Sequence, residues 1–252
     1  MYSLKLSSYG KSNNSSDKDE WEFNNITTDF TNIEWNPGSG WYENSFRTVG
    51  QTSYATINYN PFASMTEGKT IELEFETEKV NSDDDILIRI GSESNTRIEI
   101  TPTRASLYNN SNVDIIHTNY KSNERLKLAF IINPTTDNVE SGLVYIINNG
   151  ILERAADGSD SVFTTNNGII KIGGSNSGIR LYSIRVYDYA ITYSDEYNNY
   201  VYDNEDKVKI IANNNVLDLS DKINFDLCKN KLDTILISGN LSQILSGTTD
   251  KD

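Results

Sequence analysis

The chain has one cysteine, Cys228, and one histidine, His117, in 252 residues. A single thiol closes no internal disulfide, and zinc sites of the finger kind are excluded. Cys228 ends the apolar-rich run Ile223-Asn224-Phe225-Asp226-Leu227-Cys228, which reads as a small buried hydrophobe rather than a reactive thiol. Basic residues are in deficit: 22 Lys and Arg stand against 36 Asp and Glu, a formal net charge of −14. A polyanion with no Lys/Arg stripe repels phosphate, so nucleic acid is not an expected partner, and anionic membrane surfaces are disfavoured for the same reason. No apolar run approaches the roughly 20 residues that cross a bilayer, so no membrane insertion is expected. Met1-Tyr2-Ser3-Leu4-Lys5-Leu6 lacks the basic region and apolar stretch of a signal peptide. The expectation is a chain that is cytoplasmic when made, exported by another route, or cut from a longer protein.

What the sequence does contain is core material. Hydrophobic residues make up 37%, with 15 Tyr, 8 Phe and 3 Trp, so a packed interior is expected rather than disorder. Asn and Ser are abundant, and runs such as Asn213-Asn214-Asn215 read as loop filler on a polar surface. Strict alternation marks Thr70-Ile71-Glu72-Leu73-Glu74-Phe75-Glu76-Thr77-Glu78 as a half-buried strand, apolar on one face and glutamate on the other. Further strands are expected at residues 53–59, 85–91, 97–100, 104–108, 125–132, 169–174 and 179–187. Residues 143–154 read as a hairpin turning at Asn148-Asn149-Gly150, because Asn-Gly tolerates the positive φ angles of a tight turn. One short helix is expected from about Ser194 to Tyr202, with Ser194 as N-cap and Asp195 and Glu196 at the positive end of its dipole.

Many short strands and almost no helix indicate an all-β fold, a two-sheet antiparallel jelly-roll sandwich or a barrel. Its inward face is expected to hold Ile71, Leu73, Phe75, Leu128, Phe130, Tyr145, Ile172, Ile184 and Val186, with the glutamates of residues 72–78 exposed. Residues 1–19 read as an N-terminal strand and a flexible polar loop, 20–204 as the sandwich, and 205–252 as an extended connector to a following domain.

Several stretches resemble the concanavalin A-like, laminin G-like superfamily. Gly68-Lys69-Thr70-Ile71-Glu72-Leu73-Glu74-Phe75 resembles its G-x-T-I-E-x-E-F strand, and Tyr145-Ile146-Ile147-Asn148-Asn149-Gly150 its Y-I-x-I-N-G hairpin, stretched by a residue. Ile172-Gly173-Gly174-Ser175 with Tyr182-Ser183-Ile184-Arg185-Val186-Tyr187-Asp188 resembles the last strand and its Y-x-I-R-V-Y-D signature. These motifs are structural, so they speak to fold more than to ligand. The style also resembles modules of large phage and prophage structural proteins. That resemblance implies a virion or extracellular location and a cell-surface glycan or glycoprotein as partner.

Candidate sites follow from residue chemistry. Trp35, Trp41 and Tyr42 surround Asn36-Pro37-Gly38-Ser39-Gly40, and exposed aromatics stack on sugar faces, although the same residues also serve as edge packing. Asp83, Asp84 and Asp85 are a candidate calcium site in a turn, with Asp157 and Asp160 a second acidic pair; solvated turns are the alternative. Glu74, Glu76 and Glu78 have the spacing of the E-x-D-x-E strand of some glycoside hydrolases, with Glu76 where that pattern has Asp. His117 has no readable nucleophile partner, and Gly173-Gly174 lacks the following Lys and helix of a phosphate loop.

Together these features point to a non-catalytic recognition module for glycans or glycoproteins within a larger phage tail or surface protein. A ligand-free assembly module and, behind it, a glycoside hydrolase are the alternatives. Residues 205–252 carry two strand-length apolar pieces, 208–211 and 232–237, which bury too little alone to offset about 1–2 kcal/mol of ordering cost per residue. They are expected to pack on the sandwich, on a further domain or on another copy, making a homo-oligomer an expected possibility. Deleting 205–252 should therefore leave a folded protein, checked by thermal melting and light scattering of the 1–204 fragment; an unfolded fragment would move the boundary.

Overall fold

Alternation of apolar and polar side chains sets almost every element. The computed structural model describes residues 4–9, 28–31, 40–42, 45–78, 82–134, 142–158 and 161–204, the first three stretches as backbone paths. The strands are β1 (Leu4–Tyr9), β2 (Thr28–Thr31), β3 (Gly40–Tyr42), β4 (Ser45–Ile57), β5 (Lys69–Glu78), β6 (Ile88–Gly91) and β7 (Arg97–Ile100). They continue as β8 (Arg104–Tyr108), β9 (Asp114–Asn119), β10 (Arg125–Ile132), β11 (Leu143–Asn148), β12 (Ile151–Asp157) and β13 (Ile169–Tyr187), followed by α1 (Tyr193–Asp203). The chain divides into two units after Thr192, and α1 lies in the second. This helix starts one residue before the expected Ser194 and keeps Asp195 and Glu196 in its first turn.

Pairing is antiparallel throughout the described strands, in the order β12-β11-β10-β5-β13-β6-β7-β8-β9, with β1 and β4 also on β13 and β2 and β3 on β4. This is one nearly closed, barrel-like sheet, not the two distinct sheets expected from the sequence. Two features account for the difference. The outer strands of the path face each other, and Thr118 Oγ1 on β9 donates to Glu153 Oε1 on β12. At the centre, β13 is one 19-residue strand where two shorter ones were expected. Its residues Ile169–Ile172 pair with β6, its residues Gly178–Tyr187 pair with β5, and β4 lines its other side.

The bend that lets β13 change neighbours sits at Gly173 and Gly174, with φ of +84° and +79°. A Cβ on Gly173 would lie 2.4 Å from Thr48 Oγ1 and 2.7 Å from Ser53 O, so β4 and β13 approach at a distance that only glycine permits. The hairpin between β11 and β12 turns at Asn149 and Gly150 with φ of 50° and 76°, as Asn-Gly predicts. Asn149 also fastens the turn to β10: its Oδ1 accepts from Lys127 N at 2.9 Å.

One apolar cluster fills the interior. Of the expected inward residues, Ile71, Leu73, Phe75, Leu128, Phe130, Ile172, Ile184 and Val186 are buried in it. Tyr145 is not. Val144 and Ile146 occupy the inward positions of β11, and period two places Tyr145 on the opposite face. There it lies opposite Ile131 and joins a smaller cluster with Ala129, Ile147 and Ile191. The segment after β13 covers this patch, held by Ala190 N to Glu67 O at 2.8 Å and Ile191 N to Thr70 Oγ1 at 3.0 Å.

Two phenols are locked into this frame. Tyr120 packs edge-on against Phe75 and donates to Thr101 O at 2.6 Å, and burial raises its pKa well above the ordinary 10.0. Tyr59 is raised too, by desolvation first and then by the carboxylate of Asp188. Below the ordinary phenol pKa of about 10 both states are protonated and these groups make stability independent of pH. Above it the unfolded chain loses protons that the folded chain retains, so stability falls as pH rises. Denaturant midpoints should decline above that pH, with a shallower decline in Tyr59→Phe; an unchanged slope in the variant would count against this assignment.

Candidate functional site

The glutamate face of β5, expected to be exposed, is not a solvated surface. Glu72 is 1% exposed and Glu74, Glu76 and Glu78 are half-buried. The cause is position: β5 lies between β10 and β13, and both bring basic residues onto the same face. Arg185 Nη1 lies 2.7 Å from Glu72 Oε2, with Lys127 Nζ at 3.7 Å. Arg125 Nε meets Glu74 Oε1 at 2.8 Å, Tyr182 Oη donates to Glu76 Oε2 at 3.2 Å, and Glu78 is held by Arg47 at 2.6 Å and Arg180 at 3.3 Å. The Arg125 guanidinium also stacks 3.6 Å above the Tyr182 ring. Burial, reinforced by Glu76, raises the Tyr182 phenol above its ordinary pKa. A retaining glycosidase needs an acid and a nucleophile flanking a sugar. These carboxylates instead form a ladder of ion pairs and hydrogen bonds across four strands, β4, β5, β10 and β13.

The aspartates expected to hold calcium are divided by their partners. Asp85 accepts from Ser177 N at 3.0 Å and Ser177 Oγ at 2.6 Å, which ties the turn before β6 to the bend of β13. Asp83 Oδ1 instead accepts from Thr103 Oγ1 at 3.2 Å. Asp84 and Asp85 do line a cleft of about 240 Å³, but they share it with Arg89, Lys171, Gly173, Gly174 and Ser175. Lys171 Nζ points over the Tyr54 ring at 5.0 Å, and Arg89 pairs with Glu99 at 3.0 Å. Calcium takes six to eight oxygens. Among the described residues, no three Asp, Glu, His or Cys side chains are grouped to hold a metal ion. Two cations in the lining make this turn a poor fit for calcium.

Of the other expected positions, Trp35, Asp160 and Cys228 lie outside the described residues. Trp41 and Tyr42 lie on β3, opposite Phe46 and Ser45 of β4, and only their backbone path is described. Asp157 ends β12 as an exposed residue. His117 is half-exposed on β9, its Nδ1 3.2 Å from Asp114, which also pairs with Arg104.

A different surface was not foreseen. Asn95, Asn110, Thr164, Thr165, Asn166 and Asn167 line an open depression of about 330 Å³. All six side chains are neutral amides or hydroxyls. The segment that supplies four of them has no regular structure but is pinned: Thr165 N donates to Phe62 O at 3.0 Å, and Asn60 Nδ2 donates to Thr165 O at 2.8 Å. Asn110 N donates to Val162 O at 2.9 Å, and Thr165 Oγ1 donates to Asn167 O at 3.0 Å. In the sequence this is a polar turn run like many others; only the strand order brings it beside Asn95 and Asn110.

No family model matches the chain, and no curated protein matches it. Solved structures do match in fold. The receptor binding domain of botulinum neurotoxin C/D mosaic serotype has a TM-score of 0.57 at 14% identity, covering 79% of this chain and 51% of that one. The binding domain of Paraclostridial Mosquitocidal Protein 1 gives 0.57 at 14%, covering 78% and 52%. The botulinum neurotoxin serotype G binding domain gives 0.54 at 13%, covering 79% and 50%. The chain thus spans about half the length of the solved structures it matches. At these identities the likeness is one of fold. By name these are binding domains of botulinum neurotoxins and of a mosquitocidal protein, and they lend no support to the expectation of a phage structural module.

The ion-pair ladder carries a test. Glu72→Gln removes the buried carboxylate that faces Arg185 and Lys127, an expected loss of about 3–5 kcal/mol. Glu74→Gln, whose partner Arg125 is 42% exposed, should cost less, about 1 kcal/mol. Denaturant unfolding of both variants measures the contrast; equal small losses would mean that the ladder contributes little.

Proposed function

We propose that this chain is a non-catalytic recognition module that binds glycans or glycoproteins on a cell surface as part of a larger extracellular protein. The observation that carries the proposal is the depression framed by Asn95, Asn110 and residues 164–167. Sugar hydroxyls both donate and accept, and amide and hydroxyl side chains answer both roles without charge. Placing such groups on loops held by a rigid sheet is the usual arrangement of a binding surface. The fold likeness supports the reading, because the solved structures of similar fold are binding domains by name. The ion-paired state of Glu72, Glu74 and Glu78 favours this over a glycoside hydrolase.

The test is a broad glycan panel and whole-cell binding with the full chain, beside the double variant Asn110→Ala/Asn167→Ala. Removing two hydrogen-bonding side chains at about 1 kcal/mol each should weaken sugar-inhibitable binding by about tenfold or more, with thermal melting unchanged. Silence across the panel would favour a ligand-free assembly module, and cleavage of any polysaccharide would overturn the non-catalytic reading.

A further inference from the structure

The three walls of the depression meet at one carbonyl. Val162 O accepts from Asn110 N at 2.9 Å and from Thr96 Oγ1 at 3.4 Å. These bonds join the segment before β13 to the β8–β9 turn and to the residue next to Asn95. Asn109 secures the same junction: its Oδ1 accepts from Ser111 N and Val113 N, both at 3.0 Å, and its Nδ2 donates to Ser161 Oγ at 3.4 Å. Asn60 holds the other end, with Nδ2 donating to Thr165 O at 2.8 Å and Oδ1 accepting from Phe62 N at 3.1 Å. Backbone groups and three residues outside the lining, Asn60, Thr96 and Asn109, therefore do much of the fastening. Several lining groups are left over. Thr164, Asn166 and Asn167 are exposed, and their side chains make no hydrogen bond among the described residues.

We infer that the depression takes a neutral, unsubstituted hexose through two adjacent ring hydroxyls, and that it discriminates against deoxy, N-acetylated and carboxylated sugars; this rests on the recognition reading above. The lining selects that class by what it offers and by what it lacks. A primary amide sets N–H donors beside a C=O acceptor. Two neighbouring hydroxyls present an acceptor and a donor side by side, so the amides of Asn166 and Asn167 and the Thr164 hydroxyl can answer such a pair. Among the described residues the lining holds no cation, no aromatic ring and no hydrocarbon side chain. A carboxylated sugar finds no counter-charge there and approaches a chain of net charge −14. An acetamido or deoxy methyl finds no apolar partner, and a ring face finds nothing to stack on, so the sugar is held by its hydroxyl edge. The volume of about 330 Å³ lies at the small end of the range of about 300–1,000 Å³ for small-molecule sites, room for one ring. Because the walls are already tied together at Val162 O and Thr165 O, little ordering is needed when the sugar arrives.

The experiment titrates the full chain by NMR with the methyl glycosides of glucose, galactose and mannose, with the monodeoxy forms of whichever binds, and with the matching N-acetylhexosamine and hexuronate. Removing either of two adjacent hydroxyls should weaken binding about fivefold, the worth of one hydrogen bond, and removing a remote one should change nothing. The N-acetylated and carboxylated sugars should bind at least about fivefold more weakly than the parent hexose. Hexose affinity should be the same at low and high salt, because no charge takes part. The double variant Thr164→Val/Asn166→Ala should lose at least about fivefold in hexose affinity with thermal melting unchanged, since neither side chain is bonded to the fold. Equal affinity for the hexose and all its deoxy forms overturns this inference and leaves the recognition reading standing. Preference for the N-acetylated or the carboxylated sugar, or full hexose affinity in the double variant, does the same. Absence of binding to every sugar overturns the inference together with the recognition reading.

Discussion

The rest of the sheet depends on one close approach, that of β13 to β4 at Gly173. A strand that must hydrogen-bond to β6 at one end and to β5 at the other has to bend between them. Two consecutive residues with positive φ make the bend, and the 2.4 Å gap to Thr48 leaves no room for a side chain. The bend is also held from outside. Gly173 N donates to Leu87 O at 2.7 Å, and Asp85 grips Ser177 through both backbone and hydroxyl. In this way the turn before β6 and the kink of β13 stabilise each other, and the Asp85 carboxylate has a structural task that competes with any metal.

A rolled sheet gives its central strands two different solvents. The inner face of β5 meets Ile71, Leu73 and Phe75 with apolar neighbours from β10 and β13. Its outer face is crowded by the same two strands, so glutamates that would be solvated on an edge strand are half-buried or buried and need counter-charges. Arg185, Lys127, Arg125, Arg180 and Arg47 supply them. A chain with only 22 basic residues against 36 acidic ones spends several of the former here, which leaves the remaining surface still more negative. Anionic ligands are thereby disfavoured.

The legible part of this fold was local. Period-two alternation located β5 and β10, the Asn149-Gly150 pair located the hairpin, and the acidic turn after Ser194 located the helix to within a residue. What depended on pairing was not legible. Tyr145 sits in a run of consecutive apolar residues, Leu143 to Ile147, where alternation gives no sign of which set faces inward. The glutamates of β5 alternate cleanly, but their burial is decided by Arg185, more than a hundred positions away, and by Lys127. The two expected segments that fuse into β13, 169–174 and 179–187, are separated by Ser175-Asn176-Ser177-Gly178, a composition that reads as a turn. The site suffered most. Asn95, Asn110 and Asn166 are each ordinary turn residues in a sequence crowded with asparagine, and no local signal separates them from filler.

That last point bears on how recognition and catalysis are told apart in such a fold. Catalytic carboxylates announce themselves by spacing on one strand, and Glu74, Glu76 and Glu78 have that spacing; the structure shows the same residues engaged in holding four strands together. A recess lined by neutral side chains has no comparable spacing, because its members come from the β6–β7 turn, the β8–β9 turn and the segment before β13. Each is held by backbone hydrogen bonds together with short side-chain bonds, such as Asn109 Oδ1 accepting from Val113 N and Thr165 Oγ1 donating to Asn167 O. Sequence in such turns is free to change without disturbing the sheet. The scaffold and the surface it presents are in this sense separable: the strand pairings fix where these turns lie, and the turns' own residues decide which groups line the recess.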